Sequence, residues 1–192
     1  MELPLSADVY CTDGTYGRLI GLVSRDDEPL ITHLVVASES QPEQRRLVPL
    51  EHVAGADASK VQLNVSRDQM ITMTTATQTT DIYEPMPEPA LDPTLIRTFE
   101  HVDHPHIQYA EQELLPPGTV TIDDKTDVSA RGGAVGKLSS LLLNDGTGAI
   151  EALTVHESGL LGGKSITFPA SAIDHVNGPT ILLAMSKDEI TA

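Results

Sequence analysis

The chain has 192 residues, 40 % of them hydrophobic, with 12 basic and 28 acidic side chains and a formal net charge of −16. That apolar content fills a core, so disorder throughout is not expected, and the acid excess disfavours direct contact with nucleic-acid phosphates or anionic membranes. No run of about 18 apolar residues is present to span a bilayer, Cys11 has no second cysteine for an intramolecular disulfide, and no basic segment followed by an apolar run opens the chain, so the expected location is cytoplasmic.

From the N-terminus, Val9, Leu19, Val23, Leu34, Val36, Val48, Val61, Leu63 and Val65 fall in short runs with period-two spacing, the pattern of half-buried strands. Asp13-Gly14 reads as a hairpin turn between two such runs, because glycine takes positive φ without a Cβ clash. Pro49 lacks a ladder donor and predicts a strand start, an edge or a bulge. Ser66-x-x-Gln69 has capping-box spacing, which predicts a short helical turn after the last strand.

Residues 73–118 differ in kind. Six threonines crowd positions 72–80, seven of the 13 prolines lie between Pro85 and Pro117, and eight acids face one base, Arg97. This composition predicts a semi-flexible acidic connector. Within it, Asp92-Pro93 resembles an N-cap followed by a first-turn proline, with Leu95, Ile96 and Phe99 on one apolar face of a short helix through about His101; a second short helix is predicted near Gln108 to Leu115. From about residue 119 the strand pattern returns in Leu138, Leu142, Leu153, Val155, Phe168, Ile181, Leu183 and Met185. Asp145-Gly146 reads as a turn there, Pro169 again predicts a strand start, an edge or a bulge, and Ser186-x-x-Glu189 has capping-box spacing again.

The return is a repeat. A shift of 119 lays Asp8-Val9 on Asp127-Val128, Gly14 and Gly17 on Gly133 and Gly136, Leu19 on Leu138, Leu22 on Leu141, Asp26 on Asp145, Ile31 on Ile150, Leu34 on Leu153 and Val36 on Val155. With one inserted residue, Val48-Pro49 meets Phe168-Pro169, Val53 meets Ile173, and Ser66-Arg67-Asp68 meets Ser186-Lys187-Asp188. Two homologous units follow, residues 1–72 and 119–192, with the connector 73–118 between them. About five strands in roughly 70 residues leave open edges if flat, and closure into a small barrel removes them.

The order of these signals resembles the PRC-barrel domain, the small β-barrel of the cytoplasmic part of the photosynthetic reaction-centre H subunit. The residues are Asp13-Gly14-Thr15-Tyr16-Gly17-Arg18-Leu19-Ile20-Gly21 with Leu47-Val48-Pro49-Leu50-Glu51-His52-Val53. They recur as Gly132-Gly133-Ala134-Val135-Gly136-Lys137-Leu138 with Thr167-Phe168-Pro169-Ala170-Ser171-Ala172-Ile173. The resemblance implies a mainly β chain of two small PRC-type β-barrels joined by a Pro/Thr-rich acidic connector with short helices. It also implies a binding module, since the family supplies no shared catalytic residue. The transmembrane helix of the H subunit and the separate N-terminal domain of the related ribosome-maturation factor have no counterpart in this sequence.

The densest chemical constellation is His101-Val102-Asp103-His104-Pro105-His106, whose imidazoles and carboxylate are competent zinc or nickel ligands. His101, His104 and His106 are therefore the candidate metal ligands. Pro105 holds His104 extended and the spacing is poor for one tetrahedral ion, so a polar loop is the competing reading. His33, His52, His156 and His175 are dispersed and read as surface or rim residues. Cys11 aligns with Ala130 and reads as a buried small hydrophobe rather than a nucleophile. Asp26-Asp27-Glu28 and Asp123-Asp124 read as solvated turn charges. Gly132-Gly133 and Gly162-Gly163-Lys164 fit neither phosphate-binding glycine motif and read as turns. With two phenylalanines, four tyrosines and no tryptophan, there is no stacking platform for single-stranded nucleic acid.

No enzyme activity and no cofactor are predicted. The expected role is a non-catalytic protein-interaction or scaffolding module that binds a protein partner or itself, in a larger assembly or a stress-related process. The alternatives are an accessory subunit of a photosynthetic or other membrane electron-transfer complex, a ribosome-assembly factor contacting a basic ribosomal protein, and a metal-binding protein acting through the connector histidines. A saline habitat is a separate explanation for the acidity.

Overall fold

Alternating burial organises the strands. Along Gly14–Arg25 and Gly133–Leu143 the inward residues Leu19, Leu22, Leu138 and Leu141 are at most 3 % exposed, while Arg18 and Lys137 beside them reach solvent; a register shift between Leu19 and Gly21, and between Leu138 and Ser140, keeps each pair of leucines on the core face despite their odd spacing. The structure is a computed structural model that describes residues 1–26, 28–57, 59–83, 107–157, 164–177, 180–186 and 190. The chain is mainly β, in two curled half-barrel sheets of seven strands each and a two-stranded ribbon.

In chain order the first half holds β1 (Glu2–Pro4), β2 (Asp8–Cys11), β3 (Gly14–Arg25), β4 (Ile31–Ser38), β5 (Arg45–Pro49), β6 (Val53–Ala56), β7 (Lys60–Leu63) and helix α1 (Arg67–Thr72). The ribbon is β8 (Thr77–Tyr83) with β9 (Ile107–Glu113). The second half holds β10 (Thr119–Asp123), β11 (Asp127–Arg131), β12 (Gly133–Leu143), β13 (Ile150–Glu157), β14 (Ser165–Pro169), β15 (Ile173–Asn177) and β16 (Thr180–Ser186). The first sheet runs β5-β4-β3-β2-β7-β6 and the second β14-β13-β12-β11-β16-β15, the same order element for element, with β2–β7 and β11–β16 the parallel pairs. Pro49 and Pro169 end the edge strands β5 and β14, where a missing donor costs no ladder bond. Ser66 caps α1 with the full reciprocal box, its side chain accepting from Gln69 N–H while Gln69 Oε1 accepts from Ser66 N–H. Glu189 of the second box lies outside the described residues.

The seventh strand of each sheet comes from the other half. β1 pairs with β12 in register Leu3↔Leu141, and β10 pairs with β3 in register Ile122↔Leu22. Leu3, Leu22, Ile122 and Leu141 are each 0 % exposed. The shift of 119 that superposes the sequences also carries one ladder onto the other, so the exchange is reciprocal. The crossings are short: Leu5-Ser6-Ala7, with Ser6 at φ 71°, and Asp124-Lys125-Thr126, where Thr126 is fully buried and its hydroxyl donates to Asp123 Oδ1. Core residues of both halves consequently form one continuous cluster, from Leu3 and Leu22 to Ile122, Leu141 and Ile181.

Gly17 and Gly136 explain the recurring Gly-x-x-Gly. A Cβ on Gly17 would stand 1.9 Å from Ala37 O, and one on Gly136 2.1 Å from His156 O. Strands β3 and β4, and likewise β12 and β13, approach there more closely than any side chain permits.

The ribbon corrects one expectation. The short helix near Gln108 to Leu115 is instead strand β9, paired along its length with β8. The β-branched threonines before Tyr83 and the Ile107 and Tyr109 positions favour extended backbone, and the partner strand lies too far along the chain for local periodicity to register it. The predicted helix from Asp92 to His101, including Phe99, lies outside the described residues. Entry and exit of the ribbon cover the outer face of the first sheet. Leu47 N–H donates to Thr74 O, Ala76 N–H to Arg45 O and Leu114 N–H to Ala76 O. Ala76 and Leu115 pack with Val23, Val35, Leu47 and Ile20 in a second, smaller apolar cluster.

Candidate functional site

A recess bounded by described residues lies at one end of the first sheet, between the β2–β3 turn, α1 and the β4–β5 loop. It has a volume of about 660 Å³ and is lined by Asp13, Tyr16, Ser38, Glu39, Gln44, Arg67, Asp68 and Ile71, among others. The hairpin turn Asp13-Gly14, with Gly14 at φ 133°, sets Asp13 at the rim. Its carboxylate accepts the Arg67 backbone N–H at 2.9 Å and lies 3.7 Å from Arg67 Nε, which ties the turn to the start of α1. Tyr16 is 8 % exposed and forms the floor. Burial pushes its phenol above the ordinary value, while the adjoining Arg46 guanidinium pulls it back in part.

Arg46 serves the connector at the same time. Its Nη1 donates to Met73 O and Thr75 Oγ1, both at 3.0 Å, and Nη2 to Gln44 Oε1 at 3.2 Å. The floor of the recess is thereby joined to the segment that leads into the ribbon. On the rim, Ile71 of α1 is 59 % exposed, the most exposed large hydrophobic among the described residues.

The cleft offers polar and apolar contact. No histidine lines it. Cys11, directly below, is 4 % exposed, and burial with the nearby Asp13 carboxylate raises its thiol to about 11, against a smaller opposing pull from Arg67. A thiol held protonated at neutral pH is a poor nucleophile, so Cys11 is the buried small residue that its alignment with Ala130 predicts. Asp26, Glu28, Asp123 and Asp124 lie at the ends of strands or in turns, and Gly132, at φ 104°, turns β11 into β12. Among the described residues no group of three or more His, Cys, Asp or Glu is placed to hold a metal. His101, His104 and His106 lie outside the described residues.

The other histidines are dispersed as expected. His33 shares a bond with Thr32, His52 with Asn64, His156 with Ser165 and His175 with Asp174. Burial lowers the His33 imidazole below its ordinary value, the cause being desolvation alone.

Sequence reasoning did not assemble the cleft, although the repeat contains a signal for it. At the equivalent positions the second half has Gly132 for Asp13, Ala134 for Thr15 and Val135 for Tyr16. Val135 is 6 % exposed, so the fold needs only an apolar residue there. The polar groups of the first half exceed what the fold requires.

No family model matches this chain, and no curated protein matches it. No helix among the described residues is long and apolar enough to cross a membrane.

Proposed function

We propose that the chain is a non-catalytic protein-interaction module of the PRC-barrel type. In this reading two PRC-type barrel units, residues 1–72 and 119–192, each completed by a strand of the other, and the connector 73–118 act in the cytoplasm as a scaffold for a basic protein partner. The observation that carries the reading is the cleft over Tyr16. It combines a polar floor, acidic rim residues Asp13, Glu39 and Asp68, and the exposed Ile71, without a reactive pair. An anchor of this kind takes an apolar side chain flanked by cations, and a net charge of −16 steers such a partner toward it. Gly-x-x-Gly in both units, with Val48-Pro49 in the first and Phe168-Pro169 in the second, supports the family resemblance.

Cross-linking and mass spectrometry on the source lysate, with wild-type protein and with Ile71→Asp and Tyr16→Val as bait, tests the proposal. The expected result is a stoichiometric basic partner cross-linked beside α1 and lost with Ile71→Asp. A wild-type bait without a stoichiometric partner, or a partner retained by both variants, refutes it.

A further inference from the structure

The contact between the two halves is organised about one residue pair. Leu30 and Ala149 are equivalent positions, 119 apart, and they bridge to each other. The pseudo-two-fold axis therefore passes between them. Around it the backbone bonds are reciprocal: Ile31 N–H donates to Gly148 O at 2.9 Å, and Ile150 N–H donates to Pro29 O at 3.0 Å. With the exchanged strands β1 and β10, this is the geometry of an isologous dimer interface built into one chain.

The side chains break the symmetry. Gly148 sits at φ 74°, and a Cβ there would stand 2.5 Å from Ile31 O and 2.7 Å from Leu50 Cδ2. Its equivalent in the first half is Pro29, whose ring fixes φ near about −65° and cannot reach that conformation. The equivalent of Leu50, first residue of the 3₁₀ turn after the strand-ending proline, is Ala170. Thus Leu50 stands against a glycine in the opposite turn, Leu30 faces an alanine, and the half whose turn carries Ala149 and Gly148 has the smaller Ala170.

We infer that this interface is heterospecific: the surface of the first half takes a second half as its partner and rejects another first half. Two first halves would bring Pro29 to the place where only a glycine at positive φ clears Ile31 O and Leu50, and would set Leu30 against Leu30. Two second halves would set Ala149 against Ala149 and Gly148 beside Ala170, leaving space that nothing fills. Size complementarity supplies the attraction to the right partner and the clash supplies the rejection of the wrong one.

The experiment begins with the full chain carrying a protease site within 84–106, cleaved after folding. Native mass spectrometry is recorded on the nicked protein, and again after the mixture has been unfolded in urea and refolded. The expected species in both spectra is a complex of one first half with one second half. Halves that separate on nicking, or homodimers that reappear in statistical proportion, overturn the inference. A second measurement uses the intact chain. Ala149→Leu alone lowers the urea midpoint, and Leu30→Ala in addition recovers most of that loss; losses that simply add in the double variant also overturn it.

Discussion

The two sheets share strand order, register and inward-facing residues, yet their outer faces have diverged. In the first sheet Val23, Val35 and Leu47 form that face, at most 5 % exposed, beneath Ala76 and Leu115 of the connector. At the equivalent positions the second sheet carries Leu142, Thr154 and Thr167. Leu142 is 40 % exposed, and the two threonine hydroxyls bond to each other at 3.2 Å. The inward faces are held to one pattern because both lie in a single core. The outer faces were free to follow what covers them. A connector that docks on one unit turns that unit's outer face apolar and leaves its twin polar.

Substitutions at shared positions should therefore act alike in both halves, and those at divergent positions should not. The largest effect is expected from Gly17→Ala and Gly136→Ala, since each Cβ would overlap a backbone carbonyl oxygen of the neighbouring strand. Each should cost more than about 4 kcal/mol in urea unfolding, in the range reserved for specific steric or core defects. A marked difference between the two would mean that the halves are less alike than their ladders indicate.

An intermediate, unequal effect is expected on the outer faces. Leu47→Thr removes apolar contact and buries a hydroxyl under the connector, for a loss of about 2–3 kcal/mol. Thr167→Leu, the reverse change at the equivalent exposed position, should stay within about 0.5 kcal/mol of wild type. Equal losses would contradict a connector docked on the first sheet alone.

The smallest effect concerns pH. Burial raises Cys11 from 9.0 to about 11 and raises Tyr16 as well. Both groups are neutral when protonated, so the folded state holds its protons where the unfolded state has released them. The contribution of these two groups is then constant below about pH 9 and falls as pH rises toward about 11. Urea midpoints across that window should fall less steeply for Cys11→Ala, with Tyr16 supplying the remaining slope; superimposable slopes would contradict the assignment.

Much of this architecture is legible in the sequence because it is local or repeated. Period-two runs located β3, β4, β12 and β13, Asp13-Gly14 marked a turn, and Ser66-x-x-Gln69 marked α1. The strand exchange is not legible. β1 and its crossing contain only Glu2 to Ala7, with a proline at position 4, and its partner is Leu141, far along the chain. No window of local sequence records which half such a strand will join. The helix expected near Gln108 failed for a related reason, since the ladder to β8 spans the connector. The Tyr16 cleft was readable in principle, as Tyr16 and Asp13 replace the Val135 and Gly132 that suffice in the second half. That comparison becomes informative only once the two positions are known to be structurally equivalent.

The central claim is that each sheet is completed by a strand from the other half, so that the halves unfold as one. Residue-resolved hydrogen exchange in low urea, read on the amides of β3 and β12 in wild type and in Leu3→Ala, tests it directly. Leu3 sits in the second sheet but belongs to the first half, and removing its buried side chain should cost about 2–5 kcal/mol. The account predicts equal opening free energies for β3 and β12 in wild type and an equal drop in both in the variant. A drop confined to β12, with β3 unchanged, would contradict it.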